Sequence, residues 1–269
     1  MGRLFSNQTE REIVRQYREG RSTLAIGRDY DTSPNTISGI LERRGCDRRT
    51  TSESAARYNV NREAFLPPLS SSAEYWAGFL MADGCVTDQG ALRLCLQQRD
   101  RPHVEKFRAF MESEHPIFSV KQAKAVGILI GSKDLCQALV KLGVTPRKSL
   151  VSRAHDSVAD SRHFWRGMID GDGHIRLQSL SLTGGQDLLN QWLGFETRCG
   201  CKPQVIRRVK RELFRSECYG STRVKMLDIL YRDTSPEHRL DRKFEAASDA
   251  LRTAELERKQ ISLFDTENV

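Results

Sequence analysis

The chain has no run of eighteen apolar residues, which argues against a membrane-spanning helix. Its start, Met1-Gly2-Arg3-Leu4-Phe5-Ser6, carries no apolar signal segment, so secretion is not expected. The seven cysteines are scattered and odd in number, and none forms a Cys-x-x-Cys pair. That spacing supports neither a zinc ribbon nor a thioredoxin-like motif. Cys199 and Cys201 flank one glycine and read as reduced residues near a turn. The setting expected is reducing, intracellular and cytoplasmic.

What is present is basic charge. The formal net charge is +8 over 269 residues, enough chain for two or three domains. A basic balance suits a polyanionic partner, most often nucleic acid.

The most informative stretch occurs twice. Trp76-Ala77-Gly78-Phe79-Leu80-Met81-Ala82-Asp83-Gly84 is matched 89 residues later by Trp165-Arg166-Gly167-Met168-Ile169-Asp170-Gly171-Asp172-Gly173. Gly78 and Ala82, like Gly167 and Gly171, are four apart and share a helix face. Two such smooth faces allow helices to meet backbone to backbone. Each copy ends in an acid, Asp83 or Asp172, followed by a glycine suited to a left-handed helix stop. Side by side, the two carboxylates would repel one another and face two negative helix ends, and a divalent cation would relieve both.

Around this pair the chain reads in order. Residues 1–45 suggest three short helices, with a Thr9–Glu12 capping box, Ser22 as a cap, and Ser33-Pro34 opening the third. The third helix turns Ile37, Ile40 and Leu41 inward and Asn35, Thr36, Ser38, Arg43 and Arg44 outward. Residues 46–71 read as a linker. Each motif helix is followed by a two-stranded hairpin, a helix, two more strands and a helix. Leu92, Leu94 and Leu96 alternate with Arg93, Cys95 and Gln97, the pattern of a half-buried strand. Asp100 reads as the cap of the next helix. Lys121 and Lys124 fall on the following strands. Ile175 and Leu177 are expected inward, with Arg176 and Gln178 outward. From Arg198 to Lys225 there are nine Lys or Arg against two Glu, with Arg208 and Lys210 on a strand that suits phosphate. A basic dipeptide follows each copy, Arg147-Lys148 and Arg242-Lys243.

These residues resemble the LAGLIDADG homing endonuclease family in its single-chain form, and the first 45 resemble a helix-turn-helix domain. The likeness covers about residues 72–250. It implies an α+β fold: a trihelical domain, then two pseudo-symmetric αββαββα repeats, 72–150 and 151–269, forming a DNA-binding saddle. By the same resemblance Asp83 and Asp172 are the metal ligands, for Mg²⁺ or Mn²⁺. Lys148 and Lys243 match the basic residue near the metals. Gln98 matches a polar residue that holds water, with Thr183 or Gly184 near that place in the second repeat. Met81 stands where the family often has an acid, and Asp170 reads as a candidate acid that supports the metal ligands from behind.

The partner implied is double-stranded DNA, bound by a monomer with strand side chains in the major groove. The setting implied is a bacterial or phage-encoded homing enzyme. The candidate DNA contacts are Asn35, Thr36, Ser38, Arg43, Arg44, Arg93, Gln97, Lys121, Lys124, Arg176, Gln178, Arg208 and Lys210. A non-catalytic DNA-binding regulator and an RNA maturase on the same scaffold remain open at this stage.

Overall fold

The computed structural model describes residues 5–49, 58–146, 153–202 and 204–266, with side chains as far as Arg258. The chain forms two compact units, 1–54 and 55–269.

The first unit holds α1 (Asn7–Arg18), α2 (Thr23–Asp29) and α3 (Pro34–Arg43). Each helix starts on a serine. The hydroxyls of Ser6, Ser22 and Ser33 accept the amides of Thr9, Ala25 and Thr36, satisfying otherwise unpaired donors. The cap of α1 is therefore Ser6 rather than Thr9, and Glu12 pairs with Arg15 instead of closing a capping box. Ile13, Val14, Tyr17, Ile26, Ile37, Ile40 and Leu41 make the core. The turn from α2 to α3 comes close enough to require glycine: a Cβ on Gly27 would lie 2.7 Å from the Thr32 carbonyl oxygen. Arg49 folds back with its guanidinium 4.1 Å above the Tyr17 ring, and its amide donates to the Tyr17 hydroxyl at 2.9 Å.

The second unit takes in part of the expected linker. The Asn61 amide donates to the Met111 carbonyl at 2.8 Å, and Phe65 is buried with its ring 5.5 Å from that of Phe110. There follow α4 (Ser71–Asp83), β1 (Gly84–Val86), β2 (Ala91–Gln97), α5 (Arg101–Phe110), β3 (Phe118–Val120), β4 (Ala125–Gly131) and α6 (Lys133–Lys141). After the short α7 (Asp156–Ala159) the order repeats as α8 (Arg162–Asp172), β5 (Gly173–Ile175), β6 (Ser179–Gly184), α9 (Gln186–Arg198), β7 (Ile206–Lys210), β8 (Leu213–Tyr219) and α10 (Gly220–Tyr231). A final helix, α11, spans Asp241–Thr266. The strands form two antiparallel sheets in the equivalent orders β1-β2-β4-β3 and β5-β6-β8-β7.

The two halves match in register and in packing. Gly84 pairs with Leu94 and Leu94 with Ile128; Gly173 pairs with Leu182 and Leu182 with Ser216. Trp76 lies 5.0 and 6.2 Å from Phe107 and Phe110, while Trp165 lies 5.3 and 6.1 Å from Trp192 and Phe195. Each motif tryptophan thus anchors its helix to the helix that crosses its own sheet. One apolar core runs through both repeats.

Candidate active site and nucleic-acid interface

The two motif helices, α4 and α8, lie side by side and run in the same direction. A Cβ on Gly78 would overlap the Phe164 carbonyl, one on Gly167 would overlap the Tyr75 carbonyl, and one on Gly171 would overlap the Ala82 methyl. Only hydrogen fits at these positions, so the glycines set the helix separation. The same contact brings the acids together. The Asp83 Oδ2 lies 3.3 Å from where a Gly171 Cβ would sit, directly beside Asp172. Both aspartates are exposed.

The glycines after the acids differ from expectation. Gly84 and Gly173 have φ −79°, in extended backbone, and not the left-handed conformation. Space makes them necessary: a Cβ would lie 2.7 Å from the Leu80 oxygen at Gly84 and 2.5 Å from the Ile169 oxygen at Gly173. The chain leaves each helix directly into a strand, with the acid at the bend.

Lys243, near the start of α11, reaches this bend. It is only 8% exposed. Its ammonium donates to the carbonyls of Gly173 and, at 3.4 Å, Ile169, so it caps the C-terminal end of α8. A cation there complements the helix dipole. Burial and the charge of Arg242 lower the Lys243 pKa, while Asp170, Asp83 and Asp172 pull it up. The ammonium is therefore within electrostatic reach of both motif acids. Its expected counterpart Lys148, with Arg147, lies outside the described residues.

Asp170 sits in a buried polar cluster behind the motif acids. It is fully buried and accepts from Tyr75 Oη at 2.7 Å, Tyr231 Oη at 2.6 Å and the Leu240 amide at 2.7 Å. Burial raises its pKa despite these bonds. It joins α4, α8, α10 and the approach to α11, and its charge acts on the Lys243 ammonium. Met81, its counterpart, is buried in the apolar core of the first repeat. The difference between the two motif copies is thus one of packing. Neither Tyr75 nor Tyr231 stands out in the sequence, because both read as ordinary core aromatics.

Gln98 is exposed in the turn after β2, and its amide donates to the Lys124 carbonyl at 2.8 Å. Register locates its partner. Gln98 is four residues past Leu94, and the residue four past Leu182 is Gln186, also exposed. Gln186, not Thr183 or Gly184, is the equivalent position. The second hairpin is one residue shorter, so a count on from Gly173 would land on Asp187; only the strand register finds Gln186.

The outward sheet faces carry some of the expected contacts and exclude others. Arg93 and Gln97 are exposed on β2 as expected. Lys121 and Lys124 are exposed but lie in the turn between β3 and β4, Lys124 at φ 46°. Arg176, Leu177 and Gln178 form the turn between β5 and β6, which leaves Leu177 53% exposed. On β7, Arg207 pairs with Arg215 on the outward side, whereas Arg208 pairs with the inward-facing Phe214. A register shift between Arg208 and Lys210 returns Lys210 to the outward side opposite Leu213. Arg207 and Arg215 therefore replace Arg208 as the outward cations of this sheet; a strict two-residue count fails where a bulge adds a residue.

In the first unit, Asn35 is exposed, while Thr36 and Ser38 turn their hydroxyls to Ser33 and to the Pro34 carbonyl. Arg43 and Arg44 both bind the buried Glu10, at 3.0 and 2.7 Å. These arginines hold α3 against α1; Arg44 is largely enclosed by that contact, while the Arg43 side chain stays 56% exposed.

The fit of a metal rests on the donors. Among the described residues no group of three or more His, Cys, Asp or Glu side chains can hold a metal ion. Two exposed carboxylates at adjoining helix ends are hard oxygen donors suited to Mg²⁺ or Mn²⁺, with water and phosphate oxygens supplying the remaining positions.

No family model matches the chain, and no curated protein matches it in sequence. Solved structures do match. Meganuclease I-SmaMI bound to uncleaveable DNA aligns at a TM-score of 0.51 and 11% identity, over 72% of this chain and 92% of that one. The I-SmaMI LAGLIDADG homing endonuclease bound to cleaved DNA aligns at 0.51 and 10%, over 72% and 92%. The class defined is an α+β protein of two tandem repeats joined through paired motif helices. Its fold is that of the LAGLIDADG homing endonucleases.

Proposed function

We propose that the chain is a site-specific endonuclease that hydrolyses both strands of duplex DNA with divalent ions held by Asp83 and Asp172. The observation that carries this reading is the glycine-set contact that brings the two acids together beside the buried Lys243. Bound Mg²⁺ or Mn²⁺ would supply Lewis acidity for an activated water and a stabilised leaving oxygen. The protein's own part is placement. Asp83 and Asp172 fix two equivalent positions, one per strand. Lys243 stabilises negative charge that develops at the phosphate, and Lys148 is assigned the same task in the first repeat. Gln98 and Gln186 orient water. Arg93, Gln97, Arg207, Arg215 and Lys210 lie on outward strand faces that suit the major groove, which admits a β-ribbon. In the first unit, α3 with the exposed Asn35 is assigned to a second major-groove contact, as in helix-turn-helix domains.

Incubating the full chain with a randomised duplex library and Mg²⁺, then sequencing the ends produced, tests this directly. Wild type is expected to enrich one cut site. Asp83→Asn and Asp172→Asn should each abolish double-strand cleavage, leaving at most a nick in one strand, while keeping affinity for that site. Cleavage untouched by either change would remove the metal assignment, and binding without cleavage would favour a non-catalytic regulator.

A further inference from the structure

The outward face of the second sheet carries one acid among its bases, and that of the first carries none. The acid is Glu217, on β8 opposite Ser181 of β6. Arg215 is two residues earlier on the same face and pairs with Thr183 and Arg207. Arg207, Arg215, Glu217 and Tyr219 line a trough of about 430 Å³ along this face. Tyr219 and Ser179, paired with each other across β8 and β6, lie one pleat from it on the same face. Burial opposes its ionisation, yet the nearby hydroxyls of Tyr219 and Ser179 and the charges of Arg215 and Arg176 outweigh it and hold the carboxyl below its ordinary range.

An ionised acid on a face that meets DNA repels phosphate. It gains there only by accepting from a donor. In the major groove the donors are base amino groups, N4 of cytosine and N6 of adenine, and a carboxylate is matched to cytosine N4. The paired strand β8 fixes the backbone that carries this acceptor before DNA arrives, which reduces what binding must order. Arg215, one pleat away, is the group matched to guanine O6 and N7. The first sheet's face is chemically different: Cys85, Arg93 and Leu129 sit abreast, and Phe118 lies across Gly127. The acid is therefore particular to one half of the molecule.

We propose that Glu217 is a specificity-determining residue that accepts a hydrogen bond from a cytosine amino group in the half-site covered by the second sheet. This rests on the endonuclease reading above. The purely electrostatic alternative is that Glu217 only tempers its arginine neighbours.

Site selection from a randomised duplex DNA library, run with full-length wild type, Glu217→Ala and Glu217→Gln, separates the two. Thermal unfolding of each variant checks that it is folded, and Gln keeps the side chain's shape. The enriched wild-type site should contain one C·G pair whose change to T·A weakens binding about 5- to 150-fold. Glu217→Ala should lose that preference at that position alone, and Glu217→Gln should shift it toward adenine. An unchanged site with uniformly tighter binding in Glu217→Ala would overturn the proposal and leave the endonuclease reading standing. A wild type that enriches no sequence would overturn both.

Discussion

Arg242 holds Asp100 through two hydrogen bonds, Nε to Oδ1 at 2.9 Å and Nη2 to Oδ2 at 3.1 Å. Asp100 has the position of a helix cap, yet it makes no capping bond to α5. Its carboxylate instead crosses from the first repeat to α11, where Lys106 also binds Asp241 at 2.8 Å. Lys243 is the next residue after Arg242. The pair therefore fixes where α11 begins and where the ammonium meets the end of α8.

Asp100→Asn or Arg242→Ala should lower stability by about 1.5–3 kcal/mol, the range for a hydrogen bond to a charged group. Urea unfolding measures this. Cleavage should fall as well, because Lys243 loses its anchor. The double variant should be little worse than either single one; fully additive losses would show that the two residues act separately.

Gly78→Ala and Gly167→Ala should each cost more than about 3 kcal/mol or prevent folding, because the added methyl meets backbone and not a movable side chain. Gly39 is the control. It lies inside α3, and the nearest atom to its Cβ position is Arg43 Nη1 at 3.7 Å. Gly39→Ala should stabilise the first unit by about 0.5–1 kcal/mol. Thermal melts of the three variants check the contrast.

Glu196 is fully buried in α9, and neither carboxylate oxygen has a hydrogen-bond partner among the described residues. Burial pushes its pKa up to about 7, against a weak pull from Trp192 that falls outside hydrogen-bond geometry. The folded state thus holds this proton more tightly than the unfolded state, whose value is 4.5. The stabilisation is present below pH 4.5 and is lost as pH rises through about 7. Glu196→Gln should therefore be more stable than wild type at pH 7–8, with the difference shrinking toward pH 4.5. Denaturation midpoints across that range would expose a constant difference if the assignment is wrong.

Arg44 is committed to Glu10 and Asn7, whereas Arg48 is exposed. Arg44→Ala should destabilise the first unit by about 1.5–3 kcal/mol. Arg48→Ala should leave stability within about 0.5 kcal/mol and lower the salt slope of DNA binding by roughly 0.9 if Arg48 meets a phosphate. Unfolding curves and affinity at several salt concentrations distinguish the two.

The sequence by itself determined the repeat. Small residues four apart and alternating leucines impose a helix face and a strand face whatever surrounds them, so the order of elements, the paired helices and Asp83 with Asp172 at their ends are legible without coordinates. Tertiary structure decided which polar groups are free. Asp170 and Asp172 differ by two positions, yet helical rotation sends one into a buried cluster with Tyr75 and Tyr231 and leaves the other at the exposed bend. Arg44 and Asp100 read as phosphate and capping residues until a distant partner claims them. Gln186 and Arg207 emerge only from register and a bulge. Local pattern fixes which way a side chain starts out, and long-range packing fixes what it meets.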